Sequence, residues 1–212
     1  NVWKVAERDS EIQLDGFLEE WSKIPKMVLN PSTSGVGRIG TFDENSLDVT
    51  IQAVWDRENL YVAIHWHDDI WDVARVPRSE AVWLSANGRR RDRMLFYDNI
   101  KFQIRQADYD FMFWFSPRIE GKGPFNWHRL LEGLKGMEAA ISSPLLTTRS
   151  TGEKATVEII FSWRELRIKP ENNRVIPFTL LVVDSDHPGL FLQRKEKLLK
   201  WLEWKPRLQL TR

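Results

Sequence analysis

Two histidines and an aspartate stand at alternate positions near the middle of the chain. His65, His67 and Asp69 spell H-x-H-x-D. On a strand, alternate residues share a face about 6.6 Å apart. Imidazole and carboxylate so placed suit zinc, copper or iron, and a surface strand with two solvated histidines is the plainer reading. A second feature is tryptophan, eleven in 212 residues. Indole is both core material and a flat stacking surface. Trp21, Trp55, Trp66 and Trp163 lie on apolar faces and are expected in the core. Trp71, Trp83, Trp127, Trp201 and Trp204 fall in expected loops, where ligand contact and loop packing are both open. Arg89-Arg90-Arg91-Asp92-Arg93 can grip carboxylates through guanidinium forks, or form a solvated charged loop.

Other chemistries are excluded or weakened. The chain has no cysteine, so disulfides, thiol catalysis and Cys-ligated metals are out, and the compartment stays open. No P-loop, H-E-x-x-H or G-x-S-x-G occurs, and catalysis by this chain alone is not expected. Gly35, Gly37 and Gly40 spell G-x-G-x-x-G, but no strand is expected before them and no helix after, so residues 30–45 read as plain loop. Net charge is +1, which gives no global field for nucleic acid or anionic membrane. No run of 18 apolar residues offers a membrane span. The opening NVWKVAERDS lacks the apolar core of a signal peptide, and a mature secreted or periplasmic form with its signal removed is the expectation.

These residues need a scaffold, and period-two alternation supplies it. In VTIQAVWDRENLYVAIHWHDD (49–69), Val49, Ile51, Ala53 and Trp55 share a face, Asp56 to Asn59 turn, and Leu60, Val62, Ile64 and Trp66 resume the period. This is a hairpin with one face in a core and the other nearer water. Leu95 to Arg105 alternates Ile100, Phe102 and Ile104 against Lys101, Gln103 and Arg105. Asp110 to Phe115, Lys154 to Trp163, Val175 to Asp184 and Arg207 to Thr211 are further strands. Ile12 and Leu14 suggest a short strand, followed by a turn at Asp15-Gly16 and a helical turn over 17–21. Residues 116–150 read as irregular, a lid or binding loop. Leu130, Leu134, Met137 and Ile141 have helical spacing there, weakened by Gly133 and Gly136. Residues 191–204 read as an amphipathic helix or a loop. About nine strands and 42% hydrophobic residues point to a single all-β sandwich domain over 1–212.

Four segments, in order, resemble the family 9 carbohydrate-binding modules, which share their sandwich with DOMON domains. IQLDGFLEEW (12–21) is similar to that family's I-x-I-D-G-x-L-D-E-x-W. AVWDRENLYVAIHWHDD (53–69) is similar to its W-D-x-x-x-L-Y-V hairpin. YDNIKFQI (97–104) is similar to its D-S-V-E-I-F-I strand, and residues 155–186 to its V-E-x-x-I-P-W-x-x-L … I-G-F-N-x-x-V-x-D run. The resemblance implies an immunoglobulin-like/DOMON-like antiparallel β-sandwich with long loops and few short helices. It implies a non-catalytic module that clamps a sugar between aromatics, one just before Asp98 (Phe96 is nearest) and one just before the last strand (Trp204 or Trp201). Trp127 is a further loop candidate. Strand polars Lys101, Gln103, Arg105 and Thr179 would hold hydroxyls. The family's acidic residue falls on Lys101, its Asn on Thr179 and its arginine near Met112. Calcium is implied through Asp68, Asp69, Asp184 or Asp186.

An alternative is a resemblance to the haem-b-binding gamma subunits of ethylbenzene dehydrogenase. Met with Lys or His would then ligate iron between the sheets, from Met112, Lys101 and His65, with Met94 and His128 as others. A structural or interaction domain of a larger secreted protein is a third reading.

Overall fold

The structure is a computed structural model. It describes the backbone of the chain except residues 1, 30–34, 40–46, 69–81, 85–89, 93–97, 106–108, 117–125, 134–144, 152–153 and 186–198. Side chains are described for residues 2–29, 47–68, 98–105, 111, 154–184 and 204–212.

The central hairpin forms as the alternation predicts. β4 (Leu47–Trp55) and β5 (Asn59–Asp68) pair antiparallel, with Trp55 opposite Leu60 and Val49 opposite Trp66. Asp56 builds the turn. Its Oδ1 accepts the N–H groups of Glu58 and Asn59, both at 2.8 Å, and its Oδ2 accepts Arg8 Nε at 2.7 Å and the Tyr61 hydroxyl at 2.9 Å. Burial pushes this carboxyl up. The four donors, with the Arg8 charge, outweigh that and leave it below the usual carboxylate range.

Two neighbours extend β5. β12 (Lys154–Ser162) pairs antiparallel with it, and β11 (Leu145–Thr151) pairs with β12. On the other side, β1 (Val2–Glu7) lies parallel to both β4 and β15 (Arg207–Thr211). This first sheet also carries β2 (Met27–Leu29). A second sheet holds β8 (Asn99–Arg105), β9 (Tyr109–Ser116), β10 (Asn126–Gly133), β14 (Leu199–Trp204) and β3 (Gly35–Ile39).

β13 (Val175–Ser185) belongs to both sheets. Val175 to Pro177 pair with β15, and Phe178 to Val183 pair with β8. The ladder changes partner at Pro177, which has no N–H to give. The two sheets are thus one curled, mixed sheet folded over its own core. A short hairpin, β6 (Val82–Leu84) and β7 (Arg90–Asp92), stands apart.

The core is what this curl encloses. Ile51, Val62, Ile64 and Ile159 from the first sheet meet Ile100, Phe102, Phe178, Leu180 and Val182 from the second. Trp55, Trp66 and Trp163 are buried there as expected, and Trp21 is buried in a smaller cluster described below.

The all-β reading stands, with corrections of detail. The sheet is mixed rather than purely antiparallel, because β1 enters parallel to both neighbours. Residues 35–39 are strand β3, not loop: Gly35 and Gly37 occupy the strand, with Gly37 opposite Trp201, and Gly40 lies outside the described residues. Of the helical spacing from Leu130 to Ile141, Leu130 lies in strand β10, which pairs with β9 along its whole length, and Leu134, Met137 and Ile141 lie outside the described residues. Residues 199–204 are strand β14, held between β13 and β3, not a helix. Ile12 and Leu14 form no strand, and 17–21 is a run of turns, closed by Trp21 N–H to the Leu18 carbonyl and Ile24 N–H to the Trp21 carbonyl. No α-helix occurs among the described residues.

Candidate functional site

Alternation continues past the apolar residues at one end of the core. On β5 the inward positions run Leu60, Val62, Ile64, Trp66 and end in Asp68. On β13 they run Phe178, Leu180, Val182 and end in Asp184. On β8, Ile100, Phe102 and Ile104 are preceded by Asp98. Each of these aspartates is 0% exposed. The ladder pairs Val183 with Asn99, so Asp184 and Asp98 are the next positions along adjacent strands. Asp68 comes from the other sheet. One carboxylate oxygen from each lies within 4.8 Å of the others.

Three carboxylates this close repel one another. At an effective dielectric near 20, each pair of full charges at that separation costs roughly 3–4 kcal/mol. Burial adds to the cost. Protons or a cation must offset it. The donor set is entirely carboxylate oxygen from strand ends, which fits a hard cation such as calcium better than zinc or copper. Of the sequence-implied metal residues, Asp68 and Asp184 are brought together. Asp69 and Asp186 lie outside the described residues. Asp98 was missed as a ligand. Its signal was the same period-two rule, since it precedes Ile100 by one alternation.

A second acidic group comprises Asp15, Glu20 and Glu158. Its geometry explains the opening D-G-x-L-x-E-W stretch, Asp15 to Trp21. On the outer face of the first sheet, Gln52, Ala63 and Glu158 form one row across β4, β5 and β12. Residues 10–26 cross this row as a strap. Gln52 Nε2 donates to the carbonyls of Trp21 at 2.6 Å and Ile24 at 2.7 Å. Glu158 accepts the Trp21 indole N–H at 2.8 Å and the backbone N–H groups of Gly16 at 2.7 Å and Asp15 at 3.1 Å. Gly16 takes φ 82°, a left-handed value that aims two successive amides at one oxygen. Small Ala63 leaves room for Trp21, which packs with Ile12, Val54 and Tyr61. The outer face expected nearer water is therefore buried over these rows. An open cleft of about 510 Å³ runs beside the strap, lined by Glu11, Gln13, Asp15, Phe17, Glu19 and Glu20.

Glu158 is thus a structural clip. Replacing it with Ala strands two buried donors and a part-buried one, each buried donor costing about 1–3 kcal/mol. We expect Glu158→Ala to lose roughly 3–5 kcal/mol and Glu158→Gln, which still accepts, far less. Burial pushes the Glu158 carboxyl up, against the pull of the Gly16, Trp21 and Asp15 donors, and the net direction is upward. A raised folded value gives stability that is fully present below the ordinary value of 4.5 and is lost as pH rises through the folded value. The advantage of the wild type over Glu158→Gln should therefore shrink as pH rises through that window. Chemical denaturation of the three proteins across pH 4–8 checks both statements.

His65 and His67 lie beyond the strap on the same outer face. His65 is flanked by Thr50 and Thr156, and His67 by Asp48 and Lys154. Burial pushes His65 below its usual value, and Lys154 and Lys26 push the same way. Neither histidine joins a cluster of three metal-ligating groups among the described residues, and Asp69 lies outside them.

The outer face of the second sheet gathers the polar candidates. Lys101, Gln103 and Arg105 occupy successive outward positions of β8, and Thr179 sits opposite Gln103 on β13. Gln103 is only 7% exposed, Lys101 and Thr179 are half-buried, and Arg105 is exposed. Register carries this face onto β9, with Trp114 opposite Lys101 and Met112 opposite Gln103, and then to His128 opposite Trp114.

A family 9 carbohydrate-binding module from Caldicellulosiruptor kristjanssonii, solved with cellotriose, superposes with a TM-score of 0.62 at 12% identity over 99% of this chain and 94% of that one. The same source's module with glucose gives 0.61 at 12% identity, over 99% and 97%. The fold is that of the family 9 carbohydrate-binding modules. A Bacteroides uniformis protein also matches, with a TM-score of 0.54 at 8% identity over 99% and 97%. No protein-family model and no curated protein matches the sequence.

Within this fold, one of the aromatics expected to clamp a sugar is turned away from the surface. Trp204 is 6% exposed and lies in the core, 5.1 Å from Trp3 and 6.4 Å from Phe178 between ring centroids. It cannot present a face to a ligand, because β14 directs it inward. Phe96 lies outside the described residues. Trp127 is a strand residue of β10 opposite Phe115, one position out of step with the Lys101 row. Nor do the haem candidates converge. Lys101 and His65 occupy outward positions on opposite sheets, with the core between them, Met112 stands opposite Gln103 on β9, and Met94 lies outside the described residues.

Proposed function

We propose that this chain is a non-catalytic carbohydrate-binding domain. Its sugar lies on the outer face of the second sheet, across Lys101, Gln103, Arg105 and Thr179. The observation that carries this reading is the register of β8 and β13, which joins an amide, a hydroxyl and two cationic donors on one face. Sugar hydroxyls need donors and acceptors held at fixed positions, and adjacent strands hold them more rigidly than loops. The neighbours of like fold bind cellotriose and glucose, which supports the ligand class. Such a domain works where polysaccharide is met, outside the cytoplasm, alone or as part of a larger secreted protein. Among the described residues no helix is long and apolar enough to cross a membrane.

Calcium belongs to this reading as a brace. Asp68, Asp98 and Asp184 would hold it, and its charge would offset theirs where the two sheets meet. The metal does not touch the sugar face, since the three aspartates occupy inward positions.

Calorimetric titration with cellotriose tests the site. The double variant Gln103→Ala/Thr179→Ala should lose measurable binding while its melting temperature stays within a few degrees of the wild type. Unchanged affinity would move the sugar elsewhere.

A further inference from the structure

Arg8 is held more firmly than a surface arginine needs to be. It follows β1, where the chain leaves the first sheet to form the strap. Its backbone N–H donates to the Trp55 carbonyl at 2.8 Å. Its Nε donates to Asp56 Oδ2 at 2.7 Å, and its guanidinium carbon lies over the Tyr61 ring, 4.9 Å from the centroid. Tyr61 is fixed in turn, since its hydroxyl donates to Asp56 at 2.9 Å and accepts Asn59 Nδ2 at 3.3 Å. Backbone and head group of Arg8 are both tied to the β4–β5 turn.

The pair is nevertheless half made. A guanidinium and a carboxylate favour two parallel hydrogen bonds. Asp56 Oδ1 already accepts the amides of Glu58 and Asn59, so it does not meet the second arm of the fork. Nη1 makes only a long contact, 3.4 Å, to the Ser10 carbonyl. Of the five N–H donors an arginine carries, three are left over among the described residues. A latch between strap and turn accounts for the anchoring. It does not account for an oriented fork with donors to spare.

Arg8 lines an open groove of about 540 Å³ on the outer face of the first sheet. The floor is Tyr61 and half-buried Ile160, opposite one another in the β5–β12 ladder. The rim is Asp9, Ser10 and Glu11, all exposed. The volume is of the order that small-molecule sites have. The rim is mixed in charge, and that narrows the ligand. A free anion would meet two carboxylates, and a bare cation would meet the guanidinium. A neutral polyol satisfies both, because one hydroxyl oxygen accepts from arginine while its neighbour donates to a carboxylate. Ile160 supplies an apolar patch for the C–H face of a ring.

We propose that this groove is a second sugar site, which takes a neutral pyranose by two adjacent hydroxyls, with Arg8 donating and Asp9 and Glu11 accepting. The choice of a sugar rests on the carbohydrate-binding reading above, while the place is separate and shares no residue with it. The two sites lie on the outer faces of opposite sheets, with the core between them. One domain can then bridge two polysaccharide chains, and gain avidity without any new contact.

The test is an amide NMR titration of the full chain with cellotriose, and with trigalacturonate as the acidic probe. We expect cellotriose to shift the amides of residues 8–11 and 160 as one group and those of residues 101–105 and 179 as another. Gln103→Ala/Thr179→Ala should silence the second group alone. Arg8→Lys keeps the charge but loses the fork, and should weaken the groove roughly tenfold. Asp9→Ala/Glu11→Ala should weaken it by a similar factor while the melting temperature stays within a few degrees, which separates loss of the site from loss of fold. Trigalacturonate should leave the groove unshifted. Cellotriose shifts confined to β8 and β13 overturn the second site and leave the carbohydrate-binding reading intact. Shifts confined to the groove uphold it and move the sugar off the second sheet. Trigalacturonate binding in the groove as tightly as cellotriose overturns the neutral class, and unchanged groove affinity in both variants overturns the roles of Arg8 and its rim. No shift anywhere overturns both readings.

Discussion

Trp204→Ala should destabilise the domain rather than blunt its binding alone. The indole sits at 6% exposure among Trp3 and Phe178, at the junction where β13 passes between the two sheets. Truncating a buried tryptophan removes its transfer free energy and leaves a cavity, together about 3–5 kcal/mol. For a chain of this length each kcal/mol moves the melting temperature by about 2–4 °C, so a fall of roughly 6–20 °C is expected. Calorimetric melting gives the number. The sequence resemblance implies the opposite, a surface tryptophan whose loss abolishes binding and spares the fold. A Trp204→Ala protein that melts like the wild type but binds no sugar would restore that role. Phe178 offers a control. Phe178→Leu keeps an apolar group at the same junction and should cost clearly less than Trp204→Ala.

If the proposed calcium fills the aspartate cluster, removing it should have an effect of similar size. The three buried aspartates join β5 to β8 and β13, so a cation there ties one sheet to the other. A ligand that binds the folded state alone stabilises it by RT ln(1 + [L]/Kd), about 4.1 kcal/mol at a thousandfold excess over Kd. Chelation should therefore lower the melting temperature by roughly 8–16 °C, and added calcium should restore it. Asp184→Asn sharpens the test, because the sign of its effect depends on the metal. With chelator present, Asn removes one member of a mutually repelling trio and should raise stability. With calcium present, it removes a ligand and should lower it. An unchanged melting curve with and without chelator, in both proteins, would leave the cluster held by protons instead. Magnesium offers a further distinction. It demands six near-ideal oxygens and keeps its water, so it should replace calcium poorly among three strand ends.

Both effects reach the sugar face only through the scaffold. Lys101, Gln103 and Arg105 alternate with Ile100, Phe102 and Ile104 on a single strand. Whatever shifts the inward residues of β8 shifts the outward ones. A chelated protein should therefore lose sugar affinity along with stability, whereas substitutions on the outward face should change affinity alone. The strap behaves differently, since Glu158 and Gln52 anchor it to the outer face of the other sheet, with the core between it and the sugar face.

Much of the architecture was determined by alternation alone. Val49 to Trp66 reads as a hairpin because a strand has a fixed period of two, and the Asp56 turn is bounded by apolar residues that must share a face. The same period assigned Ile100, Phe102 and Ile104 inward and Lys101, Gln103 and Arg105 outward, and the structure agrees at each. The all-β class, the burial of Trp21, Trp55, Trp66 and Trp163, and the grouping of Gln103 with Lys101 and Arg105 were legible for that reason.

Partner choice was not legible, because hydrogen-bonding between strands is blind to side-chain sequence at a distance. Only the fold set Thr179 beside Gln103, brought Asp68 across from the other sheet to Asp98 and Asp184, and turned Trp204 inward. Only the fold laid the Asp15 to Trp21 strap over Gln52 and Glu158, residues that read as solvent-facing by period. Short edge strands such as β3 and β10 owe their form to a neighbour's ladder, which overrides weak local preference at Gly35, Gly37 and Gly133. The sequence determined which side of each strand meets the core. Tertiary pairing decided which strands meet one another, and with that which charges had to be buried together.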